Sequence, residues 1–241
     1  MRNILILGFG VLKELIRRKD FYLILLLLVI ILLYCAFLSF GGESGFQRYF
    51  KEIGITLSQI FSLIIAITFA ARQIPQEVES KTIYPILAHP VSRMEFIIGK
   101  FFGVFLISIS SFTIFYVVFI VSILMKGDYS TPPALLAEGY ILHIFSLAFF
   151  VSLTILFSML LSATVATAVS LILYCGTDWL GATFPNYILY PHPELFDIKE
   201  KIVHTWDIVP VWVMSFLTAY AVVYVAIFLL LAYLIFRNRN L

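Results

Sequence analysis

Long apolar runs separated by short polar stretches make up most of this chain. Each of six runs has the roughly 17 to 25 mostly apolar residues that a membrane-spanning helix needs. Only two of the runs include a histidine or a charged residue, namely His143 in the fourth and Asp178 in the fifth. The pattern predicts an all-α membrane protein with six transmembrane helices, at residues 21–40, 53–71, 101–125, 139–161, 163–182 and 208–236.

Residues 1–20, ahead of the first run, have a helical pattern of their own. Leu5, Phe9 and Leu12 recur on one side of it, whereas Lys13 and the basic residues that follow it crowd the polar end. This pattern is typical of an amphipathic helix that lies on the inner surface of a membrane. A cytosolic extension of the first span is the alternative.

The first polar segment, residues 72–100, separates the second apolar run from the third. Near its end, Ser92 and Glu95 are three residues apart as a capping box, which marks a helix start. A helix that starts at Arg93 can continue to Met125 over about 50 Å, whereas the hydrocarbon core of a membrane is only about 30 Å thick. We therefore expect the first turns of this helix to stand in the cytosol.

Pro85 interrupts the helical pattern within the first polar segment, because proline lacks the backbone N–H that a helix interior requires. It leaves a short piece from Pro75 to Tyr84. We predict a short cytosolic helix there, connected to the spans on both sides.

The second polar segment, residues 183–207, precedes the last apolar run. After Pro191 and Pro193, apolar residues recur at helical spacing with charged residues between them, which predicts a short amphipathic helix on the outer surface. Its imidazoles and carboxylates are also potential metal ligands: His192, Glu194, Asp197, His204 and Asp207. The helical pattern explains more of these residues, so we assign no metal.

The composition leaves no room for a folded soluble domain, because 62% of the 241 residues are hydrophobic and only 12% are charged. We treat residues 1–241 as a single transmembrane domain. With the N-terminus inside, eleven of the sixteen Lys and Arg lie in cytoplasmic segments, and the others, including Lys51, lie in outer segments. This bias fits an even number of spans. We expect a multi-pass protein of the plasma (inner) membrane with both termini in the cytoplasm.

No motif in the chain predicts catalysis. The phosphate-binding pattern G-x-x-x-x-G-K-[ST] is absent, so another chain must handle any ATP. Residues 42–45 match the G-x-S-G of intramembrane serine proteases, but they lie in a short outer loop instead of at a buried helix start. Cys35 and Cys175 fall inside spans and behave as small apolar residues. The net charge of +2 is spread along the chain and forms no stripe for nucleic acid.

Two further features lie within or beside the spans. Asp178 is a possible functional residue because a carboxylate in a membrane is costly, although its place near the outer end, beside Trp179, favours a solvated or hydrogen-bonded residue. Gly99 and Gly103 form a G-x-x-x-G that permits close helix packing. Spacing alone does not distinguish packing within the chain from packing against a second copy.

The first polar segment carries a family resemblance. Its residues Glu77-Val-Glu79-Ser-Lys81-Thr82, Leu87-Ala-His-Pro90-Val-Ser92-Arg93 and Gly99-Lys100 resemble the pattern of the ABC transporter type 2 permease family. Lys81 replaces the glycine that the family usually has before the threonine. Residues 195–197, Leu-Phe-Asp, are similar to the branch linked to copper-enzyme maturation.

The resemblance implies a permease that pairs with a second permease, either an identical copy or a close paralogue, and with cytosolic ATPase subunits. The first polar segment would hold the coupling helix that seats in the ATPase, and these residues would take part: Glu77, Glu79, Lys81, Thr82, Pro90, Ser92 and Arg93.

The predicted function is therefore the membrane subunit of an ATP-driven exporter in contact with membrane lipid, without enzymatic activity or cofactor of its own. A membrane-anchored assembly or signalling subunit driven by an ATPase is the alternative. An ion-coupled secondary transporter is disfavoured, because the expected paired broken helices and midplane charges are missing from the sequence.

Overall fold

The computed structural model of this chain describes residues 2–38, 44–80, 92–125, 131–177, 183 and 192–237. Within these ranges almost every residue is helical and none forms a β-strand. The helices are α1 (Arg2–Ile16), α2 (Lys19–Leu38), α3 (Ser44–Glu79), α4 (Arg93–Met125), α5 (Pro133–Leu160), α6 (Ala163–Cys175), α7 (Lys199–His204) and α8 (Val211–Arg237). A short 3₁₀ helix, Pro193–Phe196, precedes α7.

In the described ranges, four helices, α3, α4, α5 and α8, are long and apolar enough to cross a membrane. Helices α2 and α6 are apolar too, but the described part of α6 has 13 residues and is therefore about 20 Å long. Residues 178–182, which complete the predicted fifth span, lie outside the described residues. The structure thus confirms an all-helical multi-pass membrane protein, and the six-span topology stays a prediction.

The capping box predicted at the start of α4 is confirmed. The Ser92 N–H donates a hydrogen bond to Glu95 Oε2 at 3.0 Å, and the Glu95 N–H donates one to Ser92 Oγ at 3.1 Å. The helix then runs to Met125, as expected. Both partners lie within one helical turn, so local sequence alone specifies this boundary.

Helix α3 is longer at both ends than its apolar run predicts. Lys51, which the sequence analysis places in an outer segment, is a buried residue of α3, and its Nζ donates a hydrogen bond to Thr131 Oγ1 at 2.8 Å. At the other end α3 continues through Pro75 to Glu79. The predicted short helix therefore does not begin as a separate element at Pro75, and its last residues, 81–84, lie outside the described residues. Tertiary contacts described below hold the last two turns of α3.

Helix α1 packs mainly against α4, and the two glycines of the G-x-x-x-G lie at this contact. A Cβ on Gly103 would lie 2.5 Å from the Cβ of Val11, and a Cβ on Gly99 would lie 2.7 Å from that of Leu7. The close approach that the motif permits is thus made within the chain. The predicted apolar side of α1, including Leu5 and Phe9, remains exposed on the outside of the bundle, where lipid would contact it.

The second polar segment contains the predicted short helix, but the apolar side of this helix faces the bundle. Phe196, Ile202 and Val203 are buried, and Ile202 occupies the space beside Gly139 of α5. Helix α7 ends at Thr205, which has a left-handed backbone conformation with φ of 51°. The segment therefore covers one end of α3 and α5.

Candidate functional site

The described parts of the first polar segment meet the N-terminal and C-terminal helices at one end of the bundle. Contacts between the α1–α2 junction and α3, between α3 and α4 and between α4 and α8 bring these helix ends together. Basic side chains are frequent there, and we call this region the basic end: it includes Arg17, Arg18, Lys19, Arg72, Arg93, Lys100 and Arg237.

A buried ion pair joins α3 to α4 at the basic end. Lys100 is only 3% exposed, and its Nζ donates hydrogen bonds to Glu77 Oε1 and, at 3.3 Å, to Gln73 Oε1. The ammonium group also lies 5.7 Å from the centre of the Phe96 ring. Removing one partner from such a pair leaves a buried charge and typically costs about 3 to 5 kcal/mol.

The junction of α1 and α2 is tied to the same turns of α3. Arg18 donates a hydrogen bond of 2.7 Å to Gln76 Oε1 and one of 3.1 Å to Glu14 Oε1. The Arg18–Glu14 pair is partly exposed, and such pairs contribute only about 0 to 1 kcal/mol. The Arg18–Gln76 contact has the larger effect on the position of the helices, because it connects residues that are far apart in sequence.

Arg93 connects the start of α4 to the end of α8. Its Nη1 donates hydrogen bonds to the carbonyl oxygens of Phe236 at 2.9 Å and Arg237 at 2.8 Å. Those carbonyls have no partner within the last turn of their own helix, and a cation is favoured there by the helix dipole. The Phe96 and Phe236 rings stack beside this contact, 5.8 Å apart.

The structure separates the roles of the predicted coupling residues. Glu77 points towards Lys100, whereas Glu79 is exposed at the end of α3. Ser92 caps α4, and Arg93 binds the end of α8. The remaining predicted residues, Lys81, Thr82 and Pro90, lie outside the described residues, as does the possible intramembrane site at Asp178.

Lys100 and Gln73 form contacts that no sequence pattern predicts. One feature of the sequence does indicate that Lys100 is unusual. This lysine comes directly before an apolar run, in a helix long enough to enter the membrane. A lysine at such a place needs a buried partner. Its partner Glu77 is 23 residues away, across a segment with no regular pattern, so the pairing itself was not visible.

The side chains considered as metal ligands make other contacts. His192 Nδ1 lies 3.0 Å from Glu194 Oε1, and Lys199 Nζ lies 3.1 Å from Asp197 Oδ2. His204 stacks on Trp206, with ring centres 5.8 Å apart. The described residues contain no cluster of His, Cys, Asp and Glu arranged to hold a metal ion.

Comparison with known proteins agrees with this architecture. A family model described as "ABC-2 family transporter protein" matches residues 12–195. The match covers most of the chain, from the middle of α1 to the 3₁₀ helix, and includes the whole first polar segment. No curated protein matches the sequence significantly.

Proposed function

We propose that this chain, which belongs to the ABC-2 transporter family and is the permease subunit of an ABC transporter, exports its substrate by coupling to a separate cytosolic ATPase. The chain itself lacks a phosphate-binding loop, so ATP hydrolysis takes place in the partner. The permease changes between inward-open and outward-open states as the ATPase subunits close and open.

The observation that supports coupling at the first polar segment is the network around the end of α3. Gln73 and Glu77 bind Lys100 of α4, and Gln76 binds Arg18 at the junction of α1 and α2. A force on the exposed tip at Glu79 therefore reaches three helices at once. A rigid connection of this kind transmits the movement of a partner into the membrane.

The orientation follows from the charges of the basic end. Helix α8 ends here at Arg237, and the positive-inside rule favours a cytoplasmic location for such a concentration of Lys and Arg. We propose six spans, with both termini and the first polar segment in the cytoplasm and the second polar segment on the outer side of a plasma (inner) membrane.

A second permease, either an identical copy or a close paralogue, completes the proposed transporter. The charged residues of the described spanning helices, such as the buried Lys51 and Lys100, lie outside the central apolar stretches of these helices, so a single subunit offers little of a continuous polar pathway. A pathway between two subunits is lined by both of them, so each subunit needs to rearrange less than a single subunit that enclosed the whole pathway. The least enclosed long helix, α8, has apolar surface available for lipid or for this partner.

A charge reversal at Glu79 tests the coupling proposal. Glu79→Arg should weaken binding of the cytosolic ATPase partner by tenfold or more, because like charges across an interface cost several kcal/mol. Pull-down and ATP turnover of the reconstituted complex measure the effect.

Glu52→Arg provides the matched control, because Glu52 is an exposed residue near the other end of the same helix. Equal binding and turnover in the two variants would contradict coupling at the first polar segment. ATPase binding without any solute movement in liposomes would instead favour an assembly or signalling subunit.

A further inference from the structure

A polar cavity of about 250 Å³ lies far from the basic end, between α3, α5, α6 and the 3₁₀ helix of the second polar segment. Its side chains include the buried polar residues Gln59 of α3 and His143 and Ser146 of α5. This concentration of polar groups inside apolar helices is unusual in a membrane, where such groups are costly unless they are bound.

Two of these groups have no hydrogen-bond partner among the described residues. The side chains of Gln59 and Ser146 are 8% and 7% exposed, and neither makes a side-chain hydrogen bond there. Other serines of α3 and α5, such as Ser58 and Ser152, donate to a carbonyl one turn earlier. Polar groups that line a cavity without a partner in the protein are available to bind a ligand.

The third group is held in a defined orientation. His143 is 3% exposed, and its Nε2 lies 2.8 Å from Ser62 Oγ of α3. The ring of Phe112 from α4 packs against the imidazole, with ring centres 4.2 Å apart. The Ser62 contact leaves the other ring nitrogen, Nδ1, without a partner in the described part of the chain.

The charged side chains at the cavity are mainly acidic. Glu194, Asp197 and Lys199, which all come from the second polar segment, line it. Glu194 contacts His192, and Asp197 pairs with Lys199. An anionic ligand would lose its hydration beside two carboxylates without gaining an unpaired cation, which is unfavourable. An uncharged group with several hydroxyls would exchange its bonds with water for bonds to an amide, a hydroxyl and an imidazole.

We propose that this cavity binds an uncharged, polyhydroxylated group about the size of one sugar ring, carried either by a lipid or by a free sugar. The cavity is smaller than the roughly 300 to 1,000 Å³ typical of sites for drug-sized ligands, which fits a single ring. Binding of such a group does not require the ATPase, so it can be tested separately from the proposed coupling.

Cys175 lines the cavity and supplies a reporter for the test. In a Cys35→Ser variant it is the remaining cysteine, and its alkylation by N-ethylmaleimide can be timed in phosphatidylcholine nanodiscs. The additional arms contain free glucose, monoglucosyl diacylglycerol or phosphatidylglycerol. We expect glucose or the glucosyl lipid to slow the alkylation at least threefold, which identifies the source, and phosphatidylglycerol to have no effect.

Gln59→Leu and Ser146→Ala, each in the Cys35→Ser background, should abolish this protection because they remove the unsatisfied groups. Ser110→Ala is the matched control, since Ser110 is an exposed serine of α4 that bonds the Leu106 carbonyl outside the cavity. If Gln59→Leu does not fold, Ser146→Ala alone decides. Equal rates in all arms, protection by phosphatidylglycerol alone, or protection that persists in Ser146→Ala would overturn the proposal.

Discussion

Lys100 shows how a single residue can determine the geometry of the basic end. Its charge is removed from water and is stabilised by Glu77 and Gln73, so the last turns of α3 must stay beside α4 for the ammonium group to keep its partners. The same requirement explains why α3 continues through Pro75. The contacts of its last turns offset the roughly 3 kcal/mol that an interior proline costs a helix.

Removing only one member of this pair should therefore be worse than removing both charges. We expect Lys100→Met to destabilise the protein by about 3 kcal/mol, near the lower end of the range for broken buried pairs, because the Glu77 side chain is 17% exposed. The double variant Lys100→Met with Glu77→Gln should recover a large part of that loss. Thermal unfolding in detergent gives the comparison as a double-mutant cycle. Additive effects of the two substitutions would show that the pair contributes no coupling energy.

At the scale of elements, the G-x-x-x-G of α4 explains why α1 belongs to the bundle. Gly103 lies against Val11 and the Gly8 carbonyl, and Gly99 lies against Leu7. Helix α1 thus has a narrow buried stripe that fits α4 and a separate apolar side that remains exposed. The buried stripe packs α1 against α4, and the exposed side stays available to the membrane.

A methyl group at Gly103 tests this contact. Gly103→Ala should destabilise the α1–α4 contact by about 1 to 3 kcal/mol, the usual cost of overpacking, since the new Cβ would lie 2.5 Å from the Cβ of Val11. Hydrogen exchange of the α1 amides measures the loss. Gly10→Ala in α1 is the control, because a Cβ there meets no atom within 4 Å. Equal α1 protection in the two variants would place the contact elsewhere.

At the scale of the whole molecule, the two ends of the bundle have different chemistry. The basic end is held by charged hydrogen bonds between helices, whereas the second polar segment covers the far end with apolar side chains of α7. The polar cavity lies under that cover. The molecule therefore separates a region suited to receive force from a region suited to bind a small ligand.

The proposed orientation can be tested with single cysteines in a background that lacks Cys35 and Cys175. Ser80→Cys at the basic end should resist an impermeant thiol reagent in intact cells and react after the membrane is opened. Glu200→Cys, at an exposed position of α7, should react in intact cells. The opposite pattern would reverse the topology. Reaction of both cysteines in intact cells would contradict the odd number of spans, three, that the topology places between them.

The sequence by itself determined the features that depend on neighbouring residues. The apolar runs predicted the long helices because membrane helices satisfy their own backbone hydrogen bonds and need only length and apolar side chains. The capping box located the start of α4 because Ser92 and Glu95 lie within one turn. The pattern of the first polar segment indicated the family that the later comparison showed.

Only the tertiary structure decided which residues meet. It joined Glu77 to Lys100, continued α3 through Pro75, and placed Lys51 inside a helix. It also brought Gln59 and Ser146 to one cavity, from helices that are not adjacent in the chain. Periodicity within a helix shows which residues share a face, but not which other helix covers that face. Which helix covers a face depends on the packing of the whole bundle, because a contact forms only where the side chains of both helices fit each other.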